Sequence, residues 1–147
     1  ALACGANYGA DFVVTDPGYD APGPIMPRGY FAEELQFARS RIPKEKFIAA
    51  LPWYGRDWSG GDTEDLTRLA DADPPPGVAP EWREPEGELT LSFTRDGKRH
   101  EVWLPDPRKF DWMVDEVRKV GASGIYVWHL GCASPEYFNL VRGKVRR

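Results

Sequence analysis

Three short stretches of the chain are apolar without interruption: "DFVVT" at residues 11–15, "FIAALP" at 47–52 and "GIYVWHL" at 124–130. Runs of this length, bounded by Pro, Gly and Asp, predict strands buried on both faces. After the first comes a Pro/Gly loop, "DPGYDAPGPIMPRG". Phe31, Leu35, Ala38 and Ile42 then fall at i, i+4, i+7 and i+11, the spacing of an amphipathic helix that Pro43 ends. Asp106 and Pro107 supply an N-cap and a first-turn proline for a second helix, with Phe110, Met113, Val114 and Val117 on its apolar face and Gly121 as its stop. Ser134 and Pro135 repeat that start for a last helix ending near Gly143.

The order is strand, helix, strand, insertion, helix, strand, helix. Doubly apolar strands alternating with helices indicate an α/β fold with a parallel sheet covered by helices. Such sheets place their chemistry at the carboxyl ends of the strands, which here carry Asp16, then Tyr54 and Arg56, then Trp128. The insertion follows a different pattern. The Asp96-Gly97 pair in "RDGKR" suits a two-residue type I′ turn, which sets Phe93 opposite His100, Leu91 opposite Val102 and Leu89 opposite Leu104. These pairs share one face and Thr94, Ser92, Arg99 and Glu101 the other, so residues 89–104 are expected to form a hairpin with one buried side. The three consecutive prolines of "DADPPPGVAP" mark the preceding segment as loop, and the polar stretch 59–88 carries no strand signal.

Composition narrows the function. The 147 residues are within the size of one domain, and 41% hydrophobic content is ample for a core. A net charge of -4 gives no reason to expect nucleic acid or anionic lipid as a partner. No run of 18 apolar residues exists to span a membrane, and no signal-peptide pattern is present, although the chain opens without an initiator Met. Cys4 and Cys132 are compatible with a disulfide or with two buried thiols. "HLGC", His129 to Cys132, offers two potential ligands where a zinc site needs three or four, so no metal and no cofactor is expected.

Three motifs in order, "IPKEKFIAALPWYGRDW", "HEVWLPDPRKF" and "GASGIYVWHLG", together resemble the C-terminal part of family 18 glycoside hydrolases, in the chitinase-like and spore-peptidoglycan-lytic branch. The similarity covers roughly residues 9 to 142. It implies a partial (β/α)8 TIM barrel, about its last three β/α units, with a small α+β insertion subdomain before the last strand. In that arrangement residues 1–58 hold barrel strands six and seven with the intervening helix. Residues 59–105 hold the insertion, and residues 106–147 hold a barrel helix, strand eight and the terminal helix. A complete barrel takes about 250 residues, so the resemblance implies an N-terminal portion that lies outside this sequence and is its partner in forming the site.

The family's general acid is the Glu of a D-x-x-D-x-D-x-E motif. No segment here fits it; "DTEDLTRLADAD" has the acidity without the spacing. What the resemblance assigns to this chain is substrate binding. Trp128 matches the tryptophan that floors the sugar site, and Tyr54 and Arg56 match the Y-G-R of strand seven that lines the cleft. The strand-six M-x-Y-D has two alignments: Asp16 with Thr15 in place of the tyrosine, or Tyr19 and Asp20 after a one-residue gain. Trp53 and Trp58 are expected to pack under the insertion. The implied activity is substrate-assisted, retaining hydrolysis of a β-1,4-linked N-acetylglucosamine glycan, chitin or peptidoglycan, by a secreted or cell-envelope protein. Two other readings stand beside it. One is a lectin-like barrel that has lost the acid. The other is a free-standing α/β binding domain, which would have to cover both edges of a three-stranded sheet.

Overall fold

The computed structural model of the chain describes residues 2–3, 22–59, 62–66, 69–128 and 135–145. The expected strand 11–15, Ser134, Asp16, Tyr19, Asp20 and both cysteines lie outside the described residues.

Two sheets organise the rest. In the first, β1 (Leu2–Ala3), β2 (Ile48–Pro52) and β8 (Gly124–Trp128) run parallel in the order β1-β2-β8. Ile48 pairs with Gly124 and Pro52 with Trp128. The register is set just before the strands, where the Ser123 N–H and hydroxyl both donate to the Phe47 carbonyl, at 2.8 and 2.9 Å. Side chains alternate across a strand, so Ala49, Leu51 and Trp53 go to one side with Ile125 and Val127. Ile48, Tyr54, Tyr126 and Trp128 go to the other.

Helices cover the first side. α1 (Arg28–Arg41) buries Phe31, Leu35 and Ala38 as its periodicity predicts, and the Ile42 N–H caps it by donating to the Ala38 carbonyl. α2 (Pro107–Lys119) starts at Asp106, whose side chain accepts from the Arg108 N–H. It ends in a Schellman motif. The Gly121 N–H donates to the Arg118 carbonyl and the Ala122 N–H to that of Val117, with Gly121 at φ +69°. α3 (Pro135–Val145) follows β8 and runs two residues past Gly143. Phe31, Leu35, Phe47, Leu51, Trp53, Phe110, Met113, Val114 and Val117 form the core between β2, α1 and α2. Trp53 is part of this core, its ring 4.5 Å from that of Phe110, and so does not pack under the insertion as expected.

The second sheet is antiparallel, ordered β4-β3-β7-β6-β5, and consists of β3 (Gly55–Ser59), β4 (Asp62–Leu66), β5 (Glu81–Arg83), β6 (Glu88–Arg95) and β7 (Lys98–Leu104). The β6–β7 register is the one that the Asp96-Gly97 turn dictates, with both turn residues at positive φ. Leu91, Phe93, Val102, Leu104 and Ala72 form its core. β4 and β5 carry no apolar alternation, which is why the pattern left 59–88 without strands, and β3 falls where the resemblance implies the end of a barrel strand. Backbone pairing holds them instead, β3 to β7, β4 to β3 and β5 to β6. "GRDW" accordingly opens the second sheet, and the chain changes sheets between Pro52 and Gly55.

Candidate functional site

The crossing from one sheet to the other builds the site. The Trp53 N–H donates to the Trp128 carbonyl at 2.7 Å, carrying the β2–β8 ladder past the end of β2. The next residue, Tyr54, turns to the opposite side of the strand from Trp53 and clusters with Ile25 and Trp128. Trp128 is half-buried and also lies 6.4 Å from the ring of Tyr126. Arg56, two residues on, is 4% exposed, with its guanidinium carbon 5.5 Å from the Tyr54 ring centroid and 5.9 Å from that of Trp58.

Tyr54 thus packs with Trp128, and Arg56, in the antiparallel sheet, lies over Tyr54. Trp128 presents surface, while Tyr54 and Arg56 are nearly closed off. Gly55 has a steric reason to be glycine. A Cβ there would lie 2.5 Å from the Trp103 carbonyl oxygen and 2.6 Å from Leu104 Cδ2, so only glycine lets β3 approach β7.

Sequence reasoning missed a buried ionic group beneath this cluster. Glu88, at the start of β6, is fully buried; its two carboxylate oxygens accept from the Ile25 and Met26 N–H groups at 2.9 Å each. Lys109 Nζ donates to the same carboxylate and is 2% exposed. Burial pulls the Lys109 ammonium below the usual lysine range, against the Glu88 charge and hydrogen bond that push it up. The signal was present in the sequence: Lys109 lies one turn before Met113 on the apolar face of α2, and a cation in that stripe needs a buried acid. A second buried pair lies within the antiparallel sheet. His100 Nδ1 donates to Asp57 Oδ2 at 2.7 Å, and the imidazole stacks on Phe93 with centroids 4.7 Å apart.

The fold defines the class first: an α/β chain whose structural neighbours are chitinase-like TIM-barrel proteins. Its homologues are spore cortex-lytic enzymes, glycosylases and chitinases. It is 27% identical over 149 residues to the cortical fragment-lytic enzyme of Bacillus cereus, a match covering 89% of this chain and 34% of that protein. The crystal structure of the spore cortex-lytic enzyme SleL of Bacillus megaterium superposes with a TM-score of 0.77 at 23% identity, over 90% of this chain and 33% of that one. A chitinase from Chromobacterium violaceum gives a TM-score of 0.75 at 24% identity, over 92% of this chain and 45% of that one. The chain spans about a third of the length of the curated relatives it matches. No protein-family model matches it.

Proposed function

We propose that this chain is the C-terminal third of a (β/α)8 glycoside hydrolase and supplies part of the glycan-binding surface of its active site. On this reading β2 and β8 are barrel strands seven and eight, and the antiparallel sheet is an insertion subdomain between them. The observation that carries the reading is the uneven cover of the parallel sheet among the described residues. Helices bury Ala49, Leu51 and Trp53, while on the other side Ala50, Pro52 and Tyr54 are buried but Ile48 and Tyr126 stay 40% and 41% exposed. Parallel sheets are stable when both faces are covered, and a barrel lumen closed by further strands is the cover that fits.

In the complete site the substrate is a β-1,4-linked N-acetylglucosamine glycan, chitin or peptidoglycan. The 2-acetamido carbonyl oxygen attacks its own anomeric carbon as the glycosidic bond breaks, and an upstream glutamic acid protonates the departing oxygen. Water then opens the cyclic intermediate with retention of configuration. This substrate-assisted route is an exception to the two-carboxylate scheme. It needs the acetamido group held in attacking position and one sugar face shielded from water. The indole of Trp128 covers the apolar C–H face of the pyranose. Tyr54 backs it and Arg56 fixes the cleft wall, while Asp16, or Tyr19 with Asp20, hydrogen-bonds the acetamido group.

One variant tests the assignment. Trp128→Ala in the full-length protein should lower kcat/KM by roughly 30- to 1000-fold, the value of a transition-state contact worth about 2 to 4 kcal/mol. The denaturation midpoint should move less than the drop of about 3 to 5 kcal/mol expected for a core tryptophan. A large midpoint loss with near-normal activity in the folded fraction would return Trp128 to the core. Glycan binding without turnover by the wild type would favour the lectin-like reading.

A further inference from the structure

Glu88 belongs to the antiparallel sheet, Lys109 to α2, and Ile25 and Met26 to the segment leading into α1. One carboxylate therefore joins three parts of the chain that are far apart in sequence, through two backbone N–H groups and one ammonium. Met26, 1% exposed, packs into the core under α1, whereas Ile25, 3% exposed, packs on Tyr54 beside Trp128. The backbone alternates here, and the carboxylate grips it at the point where one side chain goes down to the core and the next goes up to the aromatic cluster. A neutral hydrogen bond to each N–H would hold the chain. A charged acceptor holds it more tightly, because charge-assisted bonds are about twice as strong.

We infer that Glu88, held by Lys109, is a positioning residue of the glycan site: it clamps the Ile25–Met26 backbone so that Ile25 buttresses Tyr54 and Trp128 in the orientation that receives the sugar. This rests on the glycan-hydrolase reading for its consequence but not for its geometry. A buried ion pair is by itself weak evidence of a stabilising role. Replacing both partners by apolar residues of similar volume is often neutral or stabilising, whereas removing one partner is costly. The double replacement leaves no buried charge but takes the acceptor from two buried N–H groups, so Ile25→Ala is needed to separate positioning from stability.

The test is the double variant Glu88→Leu/Lys109→Met in the full-length protein, read by amide hydrogen exchange and by kinetics. It should fold with a lower midpoint, because two buried N–H groups lose their acceptor. The Ile25 and Met26 amides should exchange roughly tenfold or more faster, as loss of a bond to a charged group implies. kcat/KM on N-acetylglucosamine oligomers should fall by roughly 10- to 100-fold, the scale of a small misplacement of binding groups. Glu88→Gln/Lys109→Met, which keeps one neutral acceptor, should recover part of both losses. Ile25→Ala leaves the clamp intact and removes only the buttress. It should reproduce the kinetic loss without faster exchange at Met26, and it decides the matter if the double variant fails to fold. Wild-type exchange at both amides in the folded double variant, or normal kcat/KM for Ile25→Ala, would overturn the inference. An inactive wild-type protein would sink the hydrolase reading instead, and exchange at the two amides would still decide whether the clamp exists.

Discussion

Replacing Gly55 by alanine adds one methyl group at the point where the two sheets meet. Built on the present backbone, that methyl would sit 2.5 Å from the Trp103 carbonyl oxygen, 2.6 Å from Leu104 Cδ2 and 3.1 Å from Leu104 Cα. Two of the three atoms are backbone, so no rotamer change relieves the contact and β3 must move off β7. Overpacking of this kind costs about 1 to 3 kcal/mol, and weakening the ladder where Arg56 faces Trp103 adds about 0.5 to 1.5 kcal/mol per bond lost. Urea denaturation of the full-length protein should show a lower midpoint with an unchanged slope. Glycan affinity of the folded fraction should fall too, because Tyr54 and Arg56 flank the displaced residue. Gly29→Ala is the matched control: it lies in the first turn of α1 with nothing within 4 Å of the added methyl, and should be neutral or stabilising by up to about 1 kcal/mol. A Gly55→Ala midpoint equal to or above wild type would refute the close-approach argument.

Leu51→Ala, at a fully buried position between the sheet and its helices, should cost about 2 to 5 kcal/mol, measured as the loss of unfolding free energy. At Asp106, burial pushes the carboxyl up, but hydrogen bonds from the Arg108 guanidinium and backbone N–H, with the Arg108 charge, outweigh it and leave the pKa below 3.8. The unfolded chain therefore takes up the proton first as pH falls. The stabilisation is present above pH 3.8 and is lost as pH drops through the lower folded-state value. Asp106→Asn, which keeps the cap acceptor, should be less stable than wild type at neutral pH and converge on it in acid; parallel acid-denaturation profiles would count against this.

The parts of the fold set by apolar periodicity were legible in the sequence. α1 and α2 follow from Phe31, Leu35 and Ala38 and from Phe110, Met113, Val114 and Val117. Asp106 and Gly121 mark the ends of α2, and Asp96-Gly97 fixes the hairpin register. β3, β4 and β5 were not legible, because their polar residues are strand only by virtue of the neighbours they pair with. For the candidate site, Tyr54, Arg56 and Trp128 are what strand ends and motif propose. Their depth could not be read there, since burial of Arg56 between two rings depends on how β3 leaves the first sheet. Glu88 escaped notice because nothing local distinguishes it from Glu84 or Glu86. Its carboxylate gains meaning only from Lys109, 21 residues away, and from Ile25, 63 away.

The central claim is that these residues form part of a site cleaving β-1,4-linked N-acetylglucosamine. The direct measurement is turnover of defined N-acetylglucosamine oligomers and of purified peptidoglycan by the full-length protein, with product anomers followed by NMR from the first minutes. The account predicts hydrolysis of at least one of these glycans, with the β-anomer formed first because the reaction retains configuration. Initial release of the α-anomer would contradict the substrate-assisted mechanism, and failure both to bind and to cleave either glycan would contradict the functional assignment itself.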